Sequence, residues 1–316
     1  PMNIASDQEN SRLFVSDYMQ QRILILSPQG QLLDYIGSGR ARHFDGDFST
    51  ASFNGPRGMA YDEMRNSLYV ADSKNGRIKA IDLNALSVKT ILGNGQLNGI
   101  PEKELNGTQS PLPYPLDLAL SYDQLYISTV EGVWKMDLTT QIAELVPHSQ
   151  NLGPLYGMTL TSNGDIVATD ANRNAIYKIT ESAIEQLSPA SFEPGFLNGK
   201  KDEIAFNHPM GFVLQDDIMY MADQYNNSFR VLNISKRKAA TLTGDSLSGF
   251  EDGSTKNALF NKPSDITKLN GIYYSTDVGN HAIRIIDEGS GTVNTLELME
   301  YQSLCYGYKP PVMALN

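Results

Sequence analysis

The sequence predicts an all-β fold, a six-bladed β-propeller of four-stranded antiparallel blades. Three observations predict it: a repeat that runs six times through the chain, four short strand-like segments in each copy, and second segments apolar on both faces. By length alone, 316 residues would suggest about two domains. The repeat replaces that expectation with one circular array.

A proline opens each unit, at Pro1, Pro56, Pro115, Pro154, Pro209 and Pro263, with spacings of 55, 59, 39, 55 and 54 residues. The propeller is therefore expected over residues 1–298, and residues 299–316 are expected as a C-terminal tail that packs on or closes it. The first strand follows the proline, as at Met59-Ala60 and Ile266-Thr267. The second ends in an acid or threonine: Asp17, Asp72, Thr129, Asp170, Asp223 and Asp277. The third follows a turn clearest in Asp277-Val-Gly-Asn280-His-Ala-Ile283, and the fourth is exemplified by residues 88–92. Each run is short, rich in Val, Ile, Tyr and Phe, and bounded by Gly, Asn, Asp and Ser, the composition of strands separated by turns. Leu68-Tyr69-Val70-Ala71 is apolar at consecutive positions, so both faces of that strand need cover. Blades packed face to face around an axis supply it.

A second motif lies in the long links. It reads Asp45-Gly46-x4-Ala51-x-Phe53-x-x-Pro56, and recurs at the same spacing from Asn198 to Pro209 and from Asp252 to Pro263. Asp-Gly or Asn-Gly supplies a turn that tolerates positive φ, and the apolar and Phe positions are expected to plug the seams between blades. Unit three departs from the pattern: Thr129 replaces the acid, Val130-Glu131-Gly132 replaces the Asn turn, and its link to unit four is short.

Composition narrows the function. Apolar residues make up 41 % of the chain, but runs such as residues 23–26 fall far short of the roughly 20 residues that span a bilayer, so no membrane association is expected. A net charge of −11 opposes binding to phosphate backbones, so nucleic acid is not an expected partner. One cysteine, Cys305, excludes a disulfide scaffold and cysteine-built zinc sites. The start of the chain carries no signal-peptide pattern; the lack of disulfides fits a cytosol, the acidic, Asn- and Tyr-rich pattern leans to a periplasmic or secreted protein, and a monomer is expected.

The Pro-x-Gly openings, Leu68-Tyr-Val-Ala-Asp72, the Asp-x-x-Asn-x-x-Ile turn and the Asp-Gly-x4-Ala-x-Phe-x-x-Pro link together resemble NHL-repeat propellers over essentially the whole chain. The link and the closing Asn294-Thr-Leu-Glu-Leu298 are most similar to the branch in which the propeller follows a thioredoxin-like domain. Cys305 has no Cys-x-x-Cys partner in these 316 residues, so no redox role is carried over. The resemblance implies the fold, while its members include RNA binders, protein and peptide binders, sensors and peptidyl-amidating lyases.

Each first strand is expected to start on the face that carries the second-to-third turns and receives the links. The strand-end aspartates there are read as acceptors for N–H groups of their own turns. Positions that break the repeat are more informative. The glycine kept as Gly58, Gly157 and Gly211 is replaced by Asn3, Asp117 and Asp265, oxygen-bearing side chains expected near the channel mouth. No cofactor is required by the pattern. A Ca²⁺ in the central channel, on Asn3, Asp117 and Asp265, is the one it admits, and similar lactonase and lyase propellers imply a metal at this level. Of His43, His148, His208 and His281, which occupy unrelated repeat positions, His208 can reach the channel. Tyr114, Tyr156 and Tyr225 fall on the same face, and Arg57 with Arg40 and Arg42 forms a local basic cluster.

The expected ligand-binding set is thus Asn3, Arg57, Asp117, Tyr156, His208 and Asp265, with no catalytic residues assigned. The favoured expectation is a non-enzymatic propeller that recognises a protein, peptide or small ligand on this face. The alternative is a Ca- or Zn-dependent lactonase-like hydrolase or amidating-lyase-like enzyme at the channel mouth, built on Asn3, Asp117, His208 and Asp265.

Overall fold

The computed structural model describes residues 1–99, 104–188 and 193–299. Six antiparallel sheets are arranged as blades around a central channel, and in each the four main strands run in sequence order from the channel outward. Blade one contains Ile4–Asp7, Arg12–Asp17, Arg22–Leu26 and Leu32–Ile36, and the innermost strands of the others are Pro56–Asp62, Asp117–Ser121, Leu155–Leu160, Pro209–Gln215 and Pro263–Leu269. Each of these innermost strands starts at, or within three residues after, a unit proline. Cys305 and the rest of the tail from residue 300 lie outside the described residues.

The core is distributed over the seams between blades. Six apolar clusters among the described residues join neighbouring blades, two blades in five of them and blades four, five and six in the other. Alternation along a strand feeds two of them at once: Leu68 and Val70 enter the seam with blade one, whereas Tyr69 and Ala71 enter the seam with blade three. This is the physical reason for continuous apolarity in the second strands.

The links do more than connect. Phe53, Phe206 and Phe260 are essentially fully buried in the seams into which they lead, with Ala51, Ile204 and Ala258 beside them. Among the described residues, four blades also have a fifth, outermost strand, which the expectation of four strands per blade omits. Gly46–Asp47, Glu104–Asn106, Gly199–Lys200 and Gly253–Ser254 pair antiparallel with the fourth strands of blades two, three, five and six. The link Asp or Asn secures this addition. Asp45 and Asp252 each accept from a buried cation, Lys79 or Arg284, and from the hydroxyl and N–H of Thr90 or Thr295.

In blade one the equivalent outer position is taken from the other end of the chain. Met299 donates its N–H to the Gly30 carbonyl at 2.9 Å and accepts from the Leu32 N–H at 3.4 Å.

Candidate functional site

The strand-end aspartates behave as scaffold. Asp223 accepts from the Asn207 N–H, the Asn226 side chain and the fully buried Arg230. Asp277 repeats the arrangement with Asn261, Asn280 and Arg284. Arg230 lies between the rings of Phe196 and Phe206, and Arg284 between Phe250 and Phe260, so cation–π contact and packing hold the same guanidinium that the acid neutralises. These acids are consumed by the fold.

Asn3, Asp117 and Asp265 occupy equivalent places at the start of innermost strands and are all buried. Each aspartate reaches sideways. Asp117 Oδ2 accepts the Met158 N–H of blade four at 2.7 Å, and Asp265 Oδ2 accepts the Ile4 N–H of blade one at 2.9 Å and the Asn3 Nδ2 at 3.3 Å. The preceding blade must carry glycine to admit them: a Cβ on Gly58 would lie 2.1 Å from Asp117 Oδ1, and one on Gly211 would lie 2.0 Å from Asp265 Oδ1. Burial pushes the Asp265 carboxyl up to about 7 against the lowering pull of the Ile4, Ile266 and Asn3 donors. Burial and then the charge of Asp265 raise Asp117 well above the usual carboxylate range. No group of three or more His, Cys, Asp or Glu among the described residues could hold a metal ion.

Arg57, Tyr156 and His208 form a different assembly, on the rim above. Arg57 and Tyr156 occupy the same repeat position, immediately before Gly58 and Gly157, in blades two and four. The Arg57 guanidinium lies 5.7 Å from the Tyr156 ring centre and 5.3 Å from that of Tyr18. Tyr156 is 6.0 Å from His208, which stacks on Tyr225 at 4.4 Å and 12°. Lys74 over Tyr18 and Lys262 over Tyr225 end the arc at 4.8 and 6.0 Å. Backbone geometry places its parts. His208 and Lys262, each just before a unit proline, adopt left-handed φ of 62° and 52°. Their N–H groups are held by the side chains of Asn174 and Asn227 at 2.8 and 2.9 Å. Burial lowers the His208 pKa, which favours a neutral imidazole between the two tyrosines.

The six expected ligand-binding residues thus fall into two sets. Asn3, Asp117 and Asp265 tie blades together in the channel wall, whereas Arg57, Tyr156 and His208 line the rim. Sequence reasoning missed Tyr18, Lys74 and Lys262, whose visible signal is their place one or two residues after a strand-end aspartate or directly before a unit proline. Arg40 and Arg42 do not join Arg57 in this arc; they line a separate cleft of about 360 Å³ with Tyr35, Phe44 and Thr50.

Residues 53–81 match the family model of the NHL repeat. The chain is 28 % identical to protein SUPPRESSOR OF QUENCHING 1, chloroplastic, of Arabidopsis thaliana, over 98 % of this chain and 32 % of that protein. It is 25 % identical to human NHL repeat-containing protein 2, over 96 % of this chain and 48 % of that protein. The chain therefore spans a third to a half of the length of the curated relatives it matches. Among solved structures, a streptogramin B lyase superposes with a TM-score of 0.58 at 13 % identity, covering 95 % of this chain and 83 % of that one, a likeness of fold alone. Repeat, sheet order and relatives agree: the chain is a six-bladed β-propeller in which residues 53–81 match the NHL repeat and nearly the whole chain is similar to NHL-repeat proteins.

Proposed function

We propose that this propeller is a non-enzymatic recognition module that binds an anionic group, carried by a protein, peptide or small ligand, on the rim formed by Tyr18, Arg57, Tyr156, His208 and Tyr225. The observation that carries this reading is the state of Arg57. It is held between two tyrosine rings, and it takes part in none of the ion pairs among the described residues. Lys74 and Lys262, at the ends of the arc, are likewise absent from those pairs. Three cations without acids, in a chain of net charge −11, favour a ligand that brings its own negative charge. The rings fix the guanidinium in advance, which lowers the ordering cost of binding, and its planar donor fork suits a carboxylate or phosphate.

The remaining polar groups support binding over catalysis. Asp117 and Asp265 are engaged by backbone N–H groups of neighbouring blades, and His208 is enclosed by rings. A thermal-shift panel of acidic peptides and aryl carboxylates, each paired with its neutral amide, tests the reading. At least one anion should raise Tm where its amide does not, and Arg57→Ala or Tyr156→Ala should abolish that shift while leaving the unliganded Tm within about 2 °C. The reading fails if no anion stabilises the protein, or if the stabilisation survives both substitutions.

A further inference from the structure

Blade two and the link into it carry a one-sided charge pattern on the face that holds the rim. Arg40, Arg42, Arg57, Lys74 and Arg77 all lie on that face, and none takes part in an ion pair among the described residues. The acids of the same blade are engaged elsewhere. Asp45 is held by Lys79 and Thr90, and Asp47 by the N–H groups and hydroxyls of Ser49 and Thr50. The buried Asp72 accepts from the Asn54 N–H and the Asn75 side chain. Asp62, Glu63 and Asp82 lie in or beside the turns at the opposite end of the blade.

Contacts join the five cations into a strip that runs outward from the channel mouth. Arg57 and Lys74 share the Tyr18 ring, at 5.3 and 4.8 Å. The next residue, Asn75, donates its side-chain N–H to the Arg42 carbonyl at 2.7 Å, and its own carbonyl accepts from Arg77 at 3.0 Å. Arg42 lies 5.7 Å from the centre of the exposed Phe44 ring. Phe44 in turn borders two clefts, one of about 360 Å³ lined by Arg40 and Arg42 and one of about 370 Å³ lined by Arg77. The backbone beneath is fixed: the Arg42 N–H donates to the Phe53 carbonyl at 3.2 Å, and the Phe44 N–H to the Ser52 hydroxyl at 2.8 Å.

We propose that this strip is the docking surface for an extended acidic segment of a partner protein, which crosses blade two with one carboxylate on Arg57 and others on Arg42 and Arg40. The proposal rests on the reading of Arg57 as an anion site, and extends it from a single group to a partner of stated chemistry. Charge complementarity selects the occupant. The guanidinium forks of Arg40 and Arg42 suit carboxylates, and neither donates a hydrogen bond to any described residue. Both are exposed, so each pair alone would be weak, and the segment would gain its affinity from their number. The rings argue against a nucleic-acid strand. Tyr18 and Phe44 already pack against the protein's own cations, whereas single-strand binders stack bases on open rings, and a net charge of −11 repels a long polyanion.

The probe is a fluorescein-labelled peptide of alternating glutamate and serine, with a glutamine-for-glutamate peptide as control, added to the full chain and followed by anisotropy. About ten residues suffice, because at roughly 3.3 Å each they outreach a blade whose strands lie about 4.8 Å apart. At low salt the acidic peptide should saturate below about 1 mM and the control should not bind, and roughly 0.5 M NaCl should weaken binding at least about tenfold. Arg40→Gln/Arg42→Gln should weaken it at least about tenfold, and Lys236→Gln/Lys238→Gln, an equal loss of charge on exposed residues of blade five, by less than about twofold. Equal losses in the two double variants would reduce the effect to net charge and overturn the strip. Binding lost in Arg57→Ala but unchanged in Arg40→Gln/Arg42→Gln would overturn the strip and leave the rim reading standing. Absence of peptide binding would also overturn the strip, and small aryl carboxylates would then decide the rim alone. Tighter binding of a single-stranded oligonucleotide of equal charge would assign the strip to nucleic acid and overturn the acidic segment.

Discussion

At the scale of single residues, the largest penalties belong to strand charges buried beneath the links. Arg284 and Asp277 have no exposed side-chain surface and lie 2.9 Å apart, so Arg284→Met would strand a buried carboxylate and take donors from Asp252 and two carbonyls. We expect it to lower stability by about 3–5 kcal/mol in urea denaturation. Arg237→Met, which breaks a pair with Glu185 exposed on both sides, should cost less than about 1 kcal/mol. The channel carboxyls set a second expectation. Asp265 is pushed up to about 7 from an ordinary 3.8, so between those values the folded state retains a proton that the unfolded chain has released. Stability must therefore fall as pH rises through that window and level off above it. Asp265→Asn should flatten the decline, as followed by Tm between pH 4 and pH 8; an unchanged slope would assign it to other groups. The places of these aspartates were legible, because they break a repeated glycine. Their role was not, because the N–H groups they accept belong to the neighbouring blade, and in one case to the opposite end of the chain. Arg230 and Arg284 carried a readable signal, seven residues after a strand-end aspartate, but a charge in a strand does not by itself indicate burial.

At the scale of elements, the link motif was legible as a plug because Phe recurs at fixed spacing from a glycine turn. Phe260→Ala would empty a fully buried position in contact with Phe229 at 5.1 Å, and should cost about 3–5 kcal/mol. Tyr122→Ala, in an exposed turn, should be nearly neutral by the same denaturation measurement. The fifth strands were not legible. Gly46–Asp47 is two residues long and contains nothing β-branched, and it becomes a strand only because the link must return along the edge of blade two. The rim was half legible for a related reason. Arg57 and Tyr156 stand out at a repeat position otherwise held by Met2, Leu116, Met210 and Ser264, whereas Tyr18 and Lys74 sit in turns whose composition varies freely.

At the scale of the whole molecule, a closed ring is held by six seams, and they are not equivalent. Four contain a link that descends and returns, and the seam between blades six and one is held by Leu296 and by Met299 on the outer edge. Among the described residues, the seam between blades three and four has no such segment. Its inner end is nonetheless fastened, by the Ser128 hydroxyl on the Leu155 carbonyl at 2.9 Å and by Asp117 on the Met158 N–H. Opening should therefore begin at the periphery of this seam and progress inward. Local openings of low free energy report first in native-state hydrogen exchange. Amides of Ile142–Leu145 and Ile184–Gln186 should exchange through such openings, before those of Asp117–Ser121 and Leu155–Leu160 and before the corresponding outer strands Lys238–Thr243 and Thr292–Thr295. In blades five and six the plug residues Phe206 and Phe260 should couple outer strands to the inner ones, so that their protected amides exchange together. A single global exchange rate across all six blades would show that the short link costs the seam nothing, and that the ring opens only as a whole.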